Sequence, residues 1–154
     1  MRNLLLFLAA LLLSLTAGRA FWITLGENPF NMSGATYVEF FQQLDQRIVV
    51  PIAITGIGGT LLAGLSAWLH RSDRRASYLL LLACAIAAVS DLVTIFVNVP
   101  INNRVATWNT LALPPDYKDY LLRWWQWHQV RLVTMMTATC CVFSAMLVRQ
   151  PSRN

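Results

Sequence analysis

Four apolar segments, each long enough to cross a lipid bilayer, dominate the sequence: residues 4–25, 51–69, 78–99 and 129–148. A helix needs roughly 20 apolar residues to span the hydrocarbon core of a bilayer, and only helices and closed barrels satisfy their backbone hydrogen bonds there. Only 12% of the residues are charged, against about 25% in an ordinary soluble domain. The sequence therefore predicts an all-α fold, a bundle of four transmembrane helices that forms a single integral membrane domain over residues 1–154.

Two stretches outside these spans are also predicted to be helical. Between the first and second spans, residues 37–48 repeat apolar side chains at helical spacing, with acidic and amide side chains between them. That pattern is typical of a short amphipathic helix at the membrane interface. Helical spacing also continues backwards from the fourth span to Trp124, which predicts a helical extension before that span.

Small residues in the second span recur at every fourth position and form two lines. The lines are Gly56, Thr60 and Gly64, and Gly59, Ala63 and Ala67. In lipid, such lines allow helix backbones to approach one another closely. They are predicted to be packing surfaces rather than parts of a functional site.

Arginines flank the predicted spans on one side of the membrane. They are Arg2, the loop residues Arg71, Arg74 and Arg75, and the terminal Arg149 and Arg153. Because cytoplasmic loops carry an excess of Lys and Arg, both termini are predicted to be cytoplasmic, in a plasma (inner) membrane. An alternative is that the first segment is a signal peptide cleaved near residues 18–20, although the segment stays apolar to Leu25.

Several other classes of protein are disfavoured. The net charge of +5 is not gathered into a basic patch, so nucleic acid is not an expected partner. The three cysteines (Cys84, Cys140 and Cys141) form no C-x-x-C pair, which argues for small buried hydrophobes and against a thiol–disulfide oxidoreductase. His70 and His128 are predicted at opposite membrane faces, so neither a metal nor another cofactor is expected.

Three ionisable residues lie inside the predicted spans: Arg19, Asp91 and Arg131. Each costs about 2.5–3.5 kcal/mol to insert near a helix centre, so each is expected to have a partner or a function. Counting along the spans places all three in the outer half of the bundle, with Arg19 and Asp91 at similar depth. The sequence therefore predicts an ion pair between Arg19 and Asp91, with either a structural or a functional role.

Polar and aromatic residues fall on two helix faces at this depth. They are Asp91, Thr94 and Asn98 on the third span, and Trp124, His128 and Arg131 on the fourth helix, flanked by Trp127. If both faces look inward, they form a polar, aromatic-walled pocket with His128 as a proton acceptor. The alternatives are that the tryptophans, Trp125 above all, form an interfacial belt, and that His128 and Arg131 extend to the headgroups.

Two motifs in this region carry a resemblance to a known family. The motifs are NVPINN over residues 98–103 and W-x-x-W-H-x-x-R over residues 124–131. At this spacing the chain resembles the anthrone oxygenase-like family of small four-helix membrane proteins, and the resemblance covers nearly the whole chain. The first loop, with ENPFNMSG, is longer than the family pattern, which bears on substrate identity more than on fold.

The resemblance implies an oxidoreductase, a monooxygenase that converts an anthrone into an anthraquinone with molecular oxygen and without a cofactor. It implies that His128 removes a proton while Arg131 and Asn98 stabilise the resulting oxyanion. Trp124 and Trp127 would hold the flat ring between them. Further contacts to the hydrophobic aromatic molecule are expected from Arg19, Asp91, Thr94 and Asn102.

A second class of function fits the same residues. A non-catalytic membrane protein that binds a lipid, a quinone or the helix of a partner protein would have the same fold, since a fold does not determine a reaction. A small transporter is a third class, and it would require several copies of the chain. Self-association into a homo-oligomer is left open.

Overall fold

The computed structural model describes residues 1–148, except for the side chains of Asp45, Gln46 and Val49. The chain forms five α-helices: α1 (Arg2–Gly26), α2 (Gly34–Leu69), α3 (Arg74–Val93), α4 (Val99–Val105) and α5 (Tyr117–Val148). A π-helical segment, Thr94–Asn98, joins α3 to α4. Arg149 and Arg153, which contribute to the predicted orientation, lie outside the described residues.

The long helices form a closed ring in which each contacts two neighbours. α1 packs on α2, α2 on α3, α3 on α5, and α5 back on α1. Four helical stretches are long and apolar enough to cross a membrane: Arg2–Gly26, Val50–Leu69, Arg74–Val105 and Tyr117–Val148. The predicted all-α bundle of four membrane-spanning helices is therefore confirmed, and we treat the chain as a membrane protein.

The helices are longer and more continuous than the apolar segments alone indicate. The predicted amphipathic helix before the second span is present, as the first part of α2, and it runs into the span through Pro51. Proline removes one backbone hydrogen bond, a loss that helices in membranes tolerate. Ser33 caps the start of α2: its hydroxyl accepts a hydrogen bond from the Thr36 N–H at 3.1 Å. α5 begins at Tyr117, so the predicted extension before the fourth span is confirmed.

The interior consists of two apolar clusters of different character. The lower cluster is built mainly from alanine and leucine, including Leu6, Leu13, Ala63, Leu80, Ala83 and Ala138. The upper cluster lies at the end of the bundle that carries α4, and it is richer in aromatic residues, including Tyr37, Ile101, Trp108, Leu121 and Trp124. The predicted polar residues lie between the two clusters, so they interrupt the core rather than extend it.

The two lines of small residues on α2 face two different helices. A Cβ atom built on Gly59 would lie 2.9 Å from Leu13 Cδ2 and 3.1 Å from the Leu13 backbone nitrogen, so this line meets α1. Cβ atoms on Gly56 and Gly64 would lie 3.2 Å from Asp91 Oδ1 and 3.1 Å from Cys84 Sγ, so the other line meets α3. The predicted close packing of α2 is confirmed on both sides.

Replacing Gly59 by Ala is expected to destabilise the bundle by roughly 1–3 kcal/mol, the usual cost of overpacking. The added methyl group meets the backbone of α1, which cannot move without shifting the whole helix. Gly58→Ala is the matched control, because its Cβ would make only an ordinary contact at 3.4 Å with the end of the Leu12 side chain. Thermal unfolding in detergent checks this difference, and equal melting temperatures for the two variants would contradict it.

A side chain of α2 ties the amphipathic part of that helix to α4. Gln42 Nε2 lies 3.1 Å from the Val105 carbonyl, 3.3 Å from that of Ala106 and 2.9 Å from that of Trp108. These carbonyls lie at and just beyond the carboxyl end of α4, where backbone acceptors lack helical partners. The amide therefore satisfies them and fixes the first part of α2 across the α4 end of the bundle.

Candidate functional site

A cavity of about 180 Å³ lies inside the ring, between the two apolar clusters. All of the elements from α1 to α5 contribute to its lining. Its polar side chains are Thr16, Arg19, Glu27, Ser90, Asp91, Thr94, Asn98, Asn102 and Arg131, and its aromatic side chains are Tyr37, Phe40, Phe41 and Trp124. An apolar cavity of about 150 Å³ holds benzene in a well-studied protein. This cavity is therefore large enough for a small aromatic molecule.

Arg19 pairs with Glu27, not with Asp91. The two guanidinium nitrogens donate to the two carboxylate oxygens of Glu27, each at 2.7 Å. The predicted Arg19–Asp91 ion pair is therefore wrong. The reason is the order of the ring: α1 packs mainly on α2 and α5, whereas Glu27 follows directly at the end of the helix that carries Arg19.

Asp91 and Arg131 line the cavity as opposite charges without direct contact. Asp91 Oδ2 accepts a hydrogen bond from the Thr60 hydroxyl at 2.7 Å, and Arg131 is the cation whose charge acts on this carboxylate. Within the described part of the chain, the Arg19–Glu27 contact is the one ion pair closer than 4.0 Å. The Arg131 Nε is buried without a hydrogen-bond partner. A ligand in the cavity can therefore reach a carboxylate and a guanidinium that do not neutralise each other by contact.

The two sequence motifs meet at Trp124. The Asn98 amide donates to the Trp124 carbonyl at 3.3 Å, and the Trp124 indole N–H donates to Asn102 Oδ1 at 2.7 Å. Asn98 is buried, and its Oδ1 has no hydrogen-bond partner. The asparagines of the first motif thus hold the first tryptophan of the second motif in the cavity wall.

The π-helical segment places Asn98 at this position. Pro100 follows at the start of α4 and has no N–H to donate, while the Val99 N–H bonds back to the Thr94 carbonyl in a π-type turn. Thr94 itself lines the cavity, and its hydroxyl donates to the Ser90 carbonyl at 2.8 Å. Such π-turns inside helices are frequent at functional sites.

His128 lies behind the cavity wall rather than in it. Its side chain is 0% exposed, is not part of the lining, and stacks on Trp124 with ring centroids 5.1 Å apart and planes 2° apart. The Nε2 atom lies 3.1 Å from the Ala20 carbonyl, an acceptor only, so Nε2 carries a proton. Nδ1 is buried without a partner. The prediction that His128 lines the pocket is wrong, because α1 packs against this part of α5.

Trp127 is also outside the cavity. It is 38% exposed and is absent from the lining, whereas Trp125 is partly buried, packs against the upper cluster and stacks on His128 at 5.7 Å. Trp127 therefore does not hold the predicted position in the pocket wall, and Trp125 packs inside the protein without lining the cavity. α1 covers the flank of α5 next to His128, where Trp125 lies, and leaves Trp127 on the outer surface.

Seven of the nine predicted site residues do come together. They are Arg19, Asp91, Thr94, Asn98, Asn102, Trp124 and Arg131. Two contacts at the candidate site have only weak signals in the sequence. Glu27 is the first acidic residue after Arg19 in the sequence. Thr60 is the hydroxyl-bearing residue in a line of small residues whose close packing does not require a hydroxyl group.

Comparison with known proteins finds one family for this chain. The sequence model of one family, described as anthrone oxygenase, matches residues 40–141, about two thirds of the chain. The match includes both motifs and most of the cavity lining, while Arg19 and Glu27 lie before it. No curated protein and no solved structure matches the chain. With the paired motifs joined at Trp124 and the family match across them, the chain belongs to the anthrone oxygenase family.

Proposed function

We propose that the protein is a membrane-embedded oxygenase that oxidises an anthrone-like aromatic molecule with molecular oxygen. The observation that carries this proposal is the cavity, which places an unpaired carboxylate and an unpaired guanidinium beside a tryptophan ring in an apolar, membrane-spanning part of the fold. Membership of the anthrone oxygenase family supports the same substrate class. Charged side chains at this depth are costly and are usually functional.

Asp91 is the proton acceptor in this proposal. Anthrone is a flat tricyclic ketone with a methylene group opposite its carbonyl, and loss of a methylene proton gives an anion whose charge is shared with the carbonyl oxygen. Asp91 lines the cavity and keeps one oxygen free of the Thr60 hydrogen bond. His128 takes a different part: it stacks behind Trp124 and fixes the position of that ring.

Arg131 and Asn98 stabilise the oxyanion. The Arg131 guanidinium lines the cavity with Nε unpartnered, and the Asn98 amide has a second N–H besides the one bound to Trp124. Donors fixed in advance where charge develops are among the strongest contributions to catalysis. The aromatic faces of Trp124 and Phe41, which pack edge to face with centroids 6.5 Å apart, hold the flat ring.

Molecular oxygen is the oxidant, and the reaction balances without another reagent. The anion transfers an electron to oxygen, and the two radicals combine to form a carbon–oxygen bond at the former methylene. Protonation of the resulting peroxide, with loss of the second methylene proton and cleavage of the oxygen–oxygen bond, releases water and leaves a second carbonyl. One oxygen atom enters the anthraquinone, and the other leaves as water.

Oxygen uptake by the purified protein in lipid nanodiscs tests this proposal. We expect one molecule of oxygen consumed per molecule of anthraquinone formed, at a rate well above that of protein-free nanodiscs, which report spontaneous oxidation. Saturable anthrone binding without faster oxidation would favour the non-catalytic alternative. A rate equal to the protein-free control would overturn the proposed activity.

We also propose that both termini and the α2–α3 loop face the cytoplasm of a plasma (inner) membrane. Arg71, Arg74 and Arg75 are exposed at this end of the bundle, and cytoplasmic loops attract such residues. Reporter fusions at Ser72 and Asn109 are expected to report opposite sides, with Ser72 in the cytoplasm. A cytoplasmic signal from Asn109 would contradict the orientation.

A further inference from the structure

The cavity is closed towards two helices and open towards the other two. Four of the lining residues on α1 and α5 are between 2% and 8% exposed: Thr16, Ile23, Trp124 and Met135. The side chain of Arg19, also on α1, is 22% exposed and is bound to Glu27. Three lining residues on α2 and the π-helical segment are between 41% and 47% exposed: Phe40, Ile57 and Ile95. Tyr37 and Asn98, which line the cavity from the same elements, are buried. Ala53 on α2 is also a lining residue and is exposed. The opening therefore lies at the seam between α2 and the end of α3.

Two contacts frame this opening. On its lower side, the Thr60 hydroxyl bonds to Asp91 at 2.7 Å and joins α2 to α3. On its upper side, the Gln42 amide joins α2 to the end of α4. The seam is thus bridged by hydrogen bonds above and below, and among the described side chains between them Ala53, Ile57 and Ile95 are exposed apolar residues that line the cavity.

The opening lies at the depth of the lipid acyl chains and not at the surface that faces water. Ala53 and Ile57 belong to the stretch Val50–Leu69 of α2, which is long and apolar enough to cross a membrane, and they lie about 5 and 10 Å from Val50 at 1.5 Å per residue. The neighbouring surface residues that do not line the cavity, such as Ile54 and Phe96, are exposed and apolar as well. The exit of the cavity is therefore surrounded by a lipid-facing surface.

We propose that the opening framed by Ala53, Ile57 and Ile95 is a lateral portal through which the ligand enters from the bilayer. This inference rests on the proposed function, since it concerns the route to the same site. It also narrows the substrate class to lipophilic molecules that dissolve in the membrane, with the reacting polar end directed inward to Asp91 and Arg131. A molecule confined to water by a permanent charge has no route to the site.

Binding kinetics in nanodiscs test the portal, with anthraquinone as a probe that is not turned over. Quenching of tryptophan fluorescence follows binding, because Trp124 lies in the wall. In Ala53→Phe, the added ring narrows the opening, so association and dissociation are both expected to slow about tenfold, which corresponds to about 1.4 kcal/mol of added barrier. The portal predicts that both rates fall together, whatever change in Kd follows from contact between the new ring and the ligand, since Ala53 also lines the cavity.

Ala85→Phe is the matched control, since Ala85 is an exposed alanine on α3 that does not line the cavity. Ile95→Ala provides a test in the opposite direction, because a wider opening should accelerate both rates. Equal rates for Ala53→Phe and Ala85→Phe would overturn the portal, as would a change in the dissociation rate alone with an unchanged association rate. If the protein binds anthraquinone through the portal but does not oxidise anthrone, the proposed activity is refuted and the portal stands. If anthraquinone shows no saturable binding, the portal is refuted as a route for this class of ligand.

Discussion

Replacing Asp91 by Asn is expected to lower the rate of anthrone oxidation about a hundredfold or more, the usual contribution of a general base. The amide has nearly the same shape as the carboxylate and can still accept the Thr60 hydrogen bond, so the bundle should fold. It cannot take up the methylene proton. Substrate binding should change little, because the aromatic wall and Arg131 are untouched.

Steady-state oxygen uptake, normalised to folded protein, measures this effect. Asp119→Asn is the matched control, because it makes the same change at an exposed position in the first turn of α5 and should leave the rate unchanged. Full activity in Asp91→Asn would show that this carboxylate is not the base. Loss of activity together with loss of the folded protein would assign Asp91 a structural role instead.

Replacing Glu27 by Gln is expected to cause the largest loss of stability among the changes considered, about 3 kcal/mol, at the lower end of the cost of breaking a buried ion pair. The Arg19 guanidinium is bound at both nitrogens by this carboxylate. It is 22% exposed, so little water is available to replace the partner. The variant leaves a cation in an apolar wall with one weaker acceptor.

A double-mutant cycle separates the pair from its surroundings. The cycle uses Arg19→Leu and Glu27→Leu, each alone and both together. The double variant removes both charges and should recover most of the stability lost in the single variants, because apolar replacements of buried pairs are often neutral or stabilising. Thermal unfolding in detergent provides the values. If the two single losses simply add in the double variant, Arg19 and Glu27 do not depend on each other, and the ion pair contributes nothing specific.

The sequence predicted the bundle because the physical requirement is local. A segment of about 20 apolar residues has no stable place outside a membrane or a core, and its length follows directly from the thickness of the bilayer. Helical periodicity also predicted that Asp91 and Asn98 share a face, as do Trp124 and Arg131, and the structure brings both faces to one cavity.

Periodicity did not predict which helix lies beside which face. The expected pairing of Arg19 with Asp91 assumed that equal depth means contact, whereas the order of the ring gives Arg19 a partner on its own side of the bundle. His128 shares a helix face with Trp124 and Arg131, but its ring packs against Ala20 of α1 and is not part of the cavity lining. Both errors concern tertiary packing, because the periodicity of one helix does not specify which other helix packs against each of its faces.

The position of the bound ligand tests the central claim most directly. In an experimental structure of the protein in nanodiscs with anthraquinone, we predict the flat ring against Trp124, inside the cavity, with one carbonyl oxygen about 2.7–3.2 Å from a nitrogen of Arg131. The opposite carbonyl, at the position of the former methylene, should lie next to Asp91. A ligand bound outside this cavity, or held beside His128 between α1 and α5, would contradict the account.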